Sequence, residues 1–148
     1  MAKKQLEKLM TGLAGEYLVA GYMNLKGWIA SLTLKNFPCV DIFGQNNGKN
    51  ISIQVKTSRE TSFNIGLNHN NRSEIYKRVK GPFVFVYIDK NDNISFYILS
   101  RNDYINLLIR TDDIYFNKKK NKEKDSYPIA ITLKDLISYK DQWDNLWI

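Results

Sequence analysis

The dipeptide Asn47-Gly48 constrains this chain more than any other pair of residues. Both central positions of a type I′ turn need positive φ, and Asn-Gly accepts that conformation readily. Before it run Pro38-Cys39-Val40-Asp41-Ile42-Phe43 and Gln45-Asn46; after it come Lys49 and Ile51-Ser52-Ile53-Gln54-Val55-Lys56. The stretch reads as a hairpin, and the turn sets its register. Asn46 faces Lys49, Gln45 faces Asn50, and further down Asp41 faces Gln54. Opposed residues lie about 4.5–5.5 Å apart at Cβ and diagonal ones roughly 7–8 Å.

Side chains alternate along a strand. Ile51, Ile53 and Val55 take one face, and Ser52, Gln54 and Lys56 take the other. Asp41 shares the second face, opposite Gln54 and diagonal to Lys56. A carboxylate, an amide oxygen and an ammonium meeting beside apolar neighbours are able to hold a hard cation and an activated water. The hairpin alone fits equally an exposed polar sheet face with an ordinary Asp–Lys pair.

The length of 148 residues suits one domain, and 43% hydrophobic residues supply a core. No apolar run reaches the length of a membrane span, so no membrane partner is expected. The start, Met1-Ala2-Lys3-Lys4-Gln5-Leu6-Glu7, lacks the continuous apolar stretch of a signal peptide, and a cytoplasmic protein is expected. Cys39 is the only cysteine, which rules out an internal disulfide, and with a single histidine argues against zinc. A net charge of +7 suits a phosphate-backbone partner or a merely soluble basic surface.

Lys3 to Lys26 reads as a long helix, with Leu6, Leu9, Met10, Leu13, Tyr17, Ala20, Met23 and Leu25 at helical spacing and Gly27 ending it. Between Lys8 and Lys26 the only charged residue is Glu16, on the face of Leu9, Gly12, Leu13, Ala20 and Met23. A buried carboxylate there needs a partner, a metal or an outlet to water; a rim position paired with a lysine satisfies the same pattern. Gly12, Ala14, Gly15, Ala20 and Gly21 allow the helix to press on a sheet. Trp28 to Leu34 reads as a strand, and Lys35 to Pro38 as a bend. Thr57 to Asn71 reads as a polar loop, Ser73 to Val79 as a short helix, and Phe83 to Ile88 and Ile94 to Leu99 as strands. Ser100 with Asp103 opens a short helix, Lys118 to Asp125 is a charged loop, and Thr132 with Asp135 caps a last helix. Tyr17, Tyr22, Phe83, Phe85, Tyr87, Trp143 and Trp147 are expected in the core. One α/β sheet with helices on its flanks follows.

Glu16 on the first helix, Asp41 on the second strand, and Gln54 with Lys56 on the third form a pattern that resembles the PD-(D/E)XK nuclease superfamily, over roughly Lys4 to Ser58. In that resemblance Glu16 matches the helix carboxylate, Asp41 the metal-binding aspartate, Gln54 the (D/E) position and Lys56 the lysine. Gln54 departs from the commoner acid, and the Glu…Asp…Gln-x-Lys arrangement looks like that of intron-encoded homing endonucleases of the superfamily. The resemblance implies a restriction-endonuclease-like central mixed β-sheet flanked by α-helices, and a metal-dependent endonuclease of double-stranded DNA.

It further implies Mg²⁺, with Mn²⁺ as a substitute, held by Asp41, the Val55 carbonyl, Gln54 and Glu16, with Lys56 acting on the attacking water or the transition state. A neutral Gln54 removes a negative charge, so weaker Mg²⁺ binding than with Glu is expected. Arg59, Arg72, Lys77, Arg78, Lys80 and the Lys118-Lys119-Lys120 cluster are candidates for gripping phosphates, each equally readable as a solvated charge. The Asn-rich stretch from Ser58 to Arg72 is a candidate for base contacts, and His69 a candidate general base. Cutting both strands implies a homo-oligomer, a dimer or a tetramer. Two other readings stand: a non-catalytic DNA-binding domain with a degraded metal site, and an interaction protein with an acidic protein partner.

Overall fold

The structure, a computed structural model, describes residues 2–34, 37–118 and 127–148. Lys119 and Lys120, the rest of the charged loop to Asp125, and Lys35-Asn36 of the expected bend lie outside the described residues.

The first helix, α1, runs Lys3–Leu25 and ends as its sequence expects. Gly27 takes φ 93°. Its N–H reaches the Asn24 carbonyl at 3.1 Å, and the Trp28 N–H reaches Met23 at 2.9 Å. This is a Schellman stop, with Met23 and Trp28 both buried beneath it. The buried stripe of α1 is Gly15, Val19, Ala20 and Met23. Leu6, Met10, Tyr17 and Leu25 are exposed, against expectation. Close approach sets the rotation of the helix. A Cβ on Gly15 would stand 1.7 Å from Thr57 Oγ1, so only glycine lets α1 lie this near the sheet.

Strands β1 (Ile29–Leu32), β2 (Ile42–Asn46) and β3 (Lys49–Ser58) form an antiparallel meander. Asn47 and Gly48 have φ of 47° and 80°, as a type I′ turn requires. The pairs Asn46↔Lys49 and Gln45↔Asn50 are present, and the register continues to Ile42↔Ile53. There it stops. Residues 38–41, expected to continue the strand, turn instead, with Cys39 at φ 59°. The Asp41 N–H donates to the Ile53 carbonyl at 2.8 Å, one residue out of step with the ladder.

The stretch expected to be a loop contains β4 (Ser62–Asn68) and a 3₁₀ segment, His69–Glu74. Helix α2 (Ile75–Arg78), strands β5 (Phe83–Ile88) and β6 (Ile94–Leu99), and helix α3 (Arg101–Lys118) follow. Helix α3 is 18 residues long, not the short element expected. Strand β7 (Pro128–Thr132), which the sequence did not announce, pairs antiparallel with β4. Helix α4 (Leu133–Leu136) is capped by Thr132 and Asp135 as expected.

The main sheet has the order β1-β2-β3-β5-β6, with β3 and β5 parallel and the other pairs antiparallel. Two cores lie on its opposite faces. Ile51, Ile53, Val55, Val84 and Val86 join α1 and Trp143 on one side; Phe83, Phe85, Tyr97 and Leu99 join α3 and the β4–β7 ribbon on the other. Strand β5 is thus buried on both faces, which explains its unbroken apolar run. No helix among the described residues is long and apolar enough to cross a membrane.

Candidate active site

Because β2 begins only at Ile42, β3 has an uncovered edge at Val55. Asp41 turns into that gap, and its Oδ2 accepts the Val55 N–H at 2.8 Å. The Gln54 N–H points the other way, to the Pro82 carbonyl. In a strand the N–H and C=O of one residue point to the same side. The Val55 carbonyl therefore opens on the edge that Asp41 occupies. The contact of Gly15 with Thr57 brings the next residue of α1, Glu16, to the same place.

Glu16, Asp41, Gln54, Val55 and Lys56 all line one open cleft of about 850 Å³. Burial raises the Glu16 pKa from its ordinary value, and the Asp41 charge raises it further. Burial raises Asp41 as well, opposed by the Val55 hydrogen bond and by the Lys56 charge. Two carboxylates thus face each other, half withdrawn from water, with Lys56 as a counter-charge. Such a pair gains from a cation placed between them.

Among the described residues no three His, Cys, Asp or Glu side chains are placed to hold a metal ion by themselves. Any cation here would complete its shell with neutral oxygens from Gln54, the Val55 carbonyl and water. That all-oxygen set suits a hard ion such as Mg²⁺ and not zinc. Beside it, Thr57 Oγ1 is buried without a hydrogen-bond partner among the described residues.

The basic side chains proposed for phosphate binding are dispersed. Arg59 lines the cleft, but bonds Asp92 at 2.8 Å and the Asp89 carbonyl at 3.1 Å. Arg72 pairs with Asp112 and Asp113. Arg78 pairs with Glu74 at 2.7 Å and reaches the Gly66 carbonyl at 3.0 Å. Lys77, Lys80 and Lys118 are exposed and do not line the cleft.

Lys4 and Lys8, which the sequence reading passed over, do line it, with Thr11. Their spacing held the signal: positions 4, 8, 12 and 16 fall on one helix face, the face of Glu16. His69 is also elsewhere. Its Nδ1 meets the buried Asp112 carboxylate at 2.6 Å, and its ring stacks between Phe116 and Tyr127. Arg72 and the Tyr127 hydroxyl donate to the same carboxylate. This is an internal clamp tying the end of β4 to α3.

No protein-family model matches the sequence, and no curated protein is recognisably similar to it. Solved structures similar in fold include two nucleases. The bacterial homing endonuclease I-Ssp6803I shares 13% identity at a TM-score of 0.51, over 97% of this chain and 91% of that one. Hjc, a Holliday junction resolvase of Archaeoglobus fulgidus, shares 15% at 0.49, over 86% and 88%. The fold is α/β and restriction-endonuclease-like, as the resemblance implied.

Proposed function

We propose that the protein is a metal-dependent endonuclease that hydrolyses phosphodiester bonds of double-stranded DNA. One observation carries this reading: Glu16 from α1, Asp41 just before β2, and Gln54 and Lys56 from β3 converge on a single cleft. Asp41, Glu16, the Gln54 amide oxygen and the Val55 carbonyl would hold Mg²⁺, or Mn²⁺ in its place. The ion, when bound, supplies a Lewis acid for the phosphoryl oxygens and lowers the pKa of a bound water.

The chain's own groups do the rest. The Val55 N–H fixes the Asp41 carboxylate by holding Oδ2. Glu16, raised in pKa by burial and by Asp41, orients water on the same side. The Lys56 ammonium positions the attacking water and offsets charge as the phosphorane-like transition state forms. Each chain offers one such cleft, so cutting both strands would take a homo-oligomer, dimeric or tetrameric.

The neutral Gln54 supports a second reading, a domain on the same fold that binds DNA without cutting it. Plasmid nicking in Mg²⁺ or Mn²⁺ decides between them. Nicking that disappears in Asp41→Asn and Lys56→Ala supports the enzyme. Salt-sensitive binding with no cleavage in either metal supports the binding domain, and no DNA affinity at low salt removes both.

A further inference from the structure

The two walls of the cleft differ in chemistry. The α1 wall carries Lys4 and Lys8 one turn apart, with Glu7 between them and Thr11 beyond. The positive end of the helix dipole lies at the same place, since α1 begins at Lys3. The opposite wall is β4, which contributes Ser62, Asn64 and Gly66. Strand β4 and its partner β7 form a two-stranded ribbon. One face of the ribbon, Phe63, Leu67, Ile129 and Ile131, is buried in the second core. Its other face is exposed and built from small side chains.

Asn64 is an exposed side chain on that face able to distinguish bases. Ala130 lies directly across from it, and Gly66 two residues on, so nothing bulky stands beside it. Its Oδ1 accepts the Gly66 N–H at 3.0 Å, which fixes the direction of the amide. Among the described residues a second lone pair on Oδ1 and both Nδ2 donors are still to be used, and these are the groups that match N6 and N7 of adenine. The major groove of B-DNA admits a two-stranded ribbon.

We propose that duplex DNA lies in this cleft with the phosphates of one strand along Lys4 and Lys8 of α1 and its major groove on the β4–β7 ribbon, where Asn64 reads adenine. The proposal rests on the nuclease reading above. It divides the cleft into a wall that binds every sequence equally and a wall that selects.

The test is binding to a randomised duplex pool across a salt series in Ca²⁺, with each variant's melting temperature measured to confirm folding. Lys4→Ala combined with Lys8→Ala should weaken binding to all sequences alike and flatten the log K against log salt slope by about 2. Asn64→Ala should keep the slope and reduce preference for adenine at one position by roughly 5- to 150-fold. An Asn64→Ala variant with unchanged sequence ranking overturns the assignment, as does a double-lysine variant with an unchanged slope. A wild-type protein that binds tightly without any preference also overturns it, while leaving the nuclease reading in place. A wild type that does not bind DNA overturns both.

Discussion

The Val55 amide donates to the Asp41 carboxylate at 2.8 Å, beyond the Ile42↔Ile53 pair where the β2–β3 ladder stops. One side chain therefore closes the sheet edge and presents an acid to the cleft. Asp41→Asn keeps an oxygen for the amide, whereas Asp41→Ala leaves the donor unpaired. Asp41→Ala should unfold more readily than Asp41→Asn by about 1–3 kcal/mol, measured in urea, with both inactive in nicking. Equal stability of the two variants would show that the hydrogen bond contributes nothing.

The raised pKa values of Glu16 and Asp41 set a sign for pH dependence. A carboxyl that holds its proton more tightly when folded stabilises the fold below its unfolded pKa, and that contribution is lost as pH rises through the folded value. The unfolded values are near 4.5 for Glu16 and 3.8 for Asp41. In metal-free protein, Glu16→Gln should raise the melting temperature at pH 7 and make no difference near pH 3. A variant that is less stable than wild type at pH 7 contradicts the burial argument.

Replacing Gln54 by Glu adds a third acid to the site. Without metal, that charge faces Glu16 and Asp41 and should lower the melting temperature. With Mg²⁺ it should tighten binding by roughly tenfold, well inside the ~4 kcal/mol that unit charges 4 Å apart exchange at an effective dielectric of 20. Calorimetric titration with Mg²⁺ and melting with and without the ion read the two effects separately.

Gly15→Ala should destabilise the protein, although alanine is the better helix former by about 1 kcal/mol. The new Cβ would meet Thr57 Oγ1 at 1.7 Å and Thr57 Cβ at 2.8 Å, and a β-branched side chain has little freedom to yield. Overpacking of about 1–3 kcal/mol outweighs the gain in propensity. Thr57→Ala should restore part of the loss, as a double-mutant cycle in denaturant would read.

Asp112 is 1% exposed and receives Arg72, His69 and Tyr127. Asp112→Ala removes the shared acceptor of His69 and Tyr127, Arg72 keeping Asp113, and should cost about 1–3 kcal/mol. Asp113, whose side chain is 54% exposed, pairs with the same arginine, yet Asp113→Ala should cost under about 1 kcal/mol. Similar losses from the two substitutions would mean that burial is not what gives the clamp its strength.

The sequence by itself determined the local structure around the site. Asn47-Gly48 set the hairpin register, alternation placed Ile51, Ile53 and Val55 in the core, and Gly27 stopped α1. The spacing of Glu16, Asp41, Gln54 and Lys56 was legible because each lies within or beside an element whose period is written locally. The ribbon was harder to see. Phe63, Ile65 and Leu67 do alternate, but Asn64 and Gly66 between them read as loop, and the partner strand lies some sixty residues downstream. Tertiary structure alone decided that pairing, the rotation of α1 about the Gly15 contact, and the start of β2 at Ile42. It also decided which cations remain at the cleft. Arg59 and Arg72 are basic in any sequence count, but folding brings each an acid from far along the chain, while Lys4 and Lys8 stand on the wall with Glu16. Turn chemistry and periodicity act between near neighbours in the chain; strand partners and counter-charges are supplied by segments that meet only when the core closes.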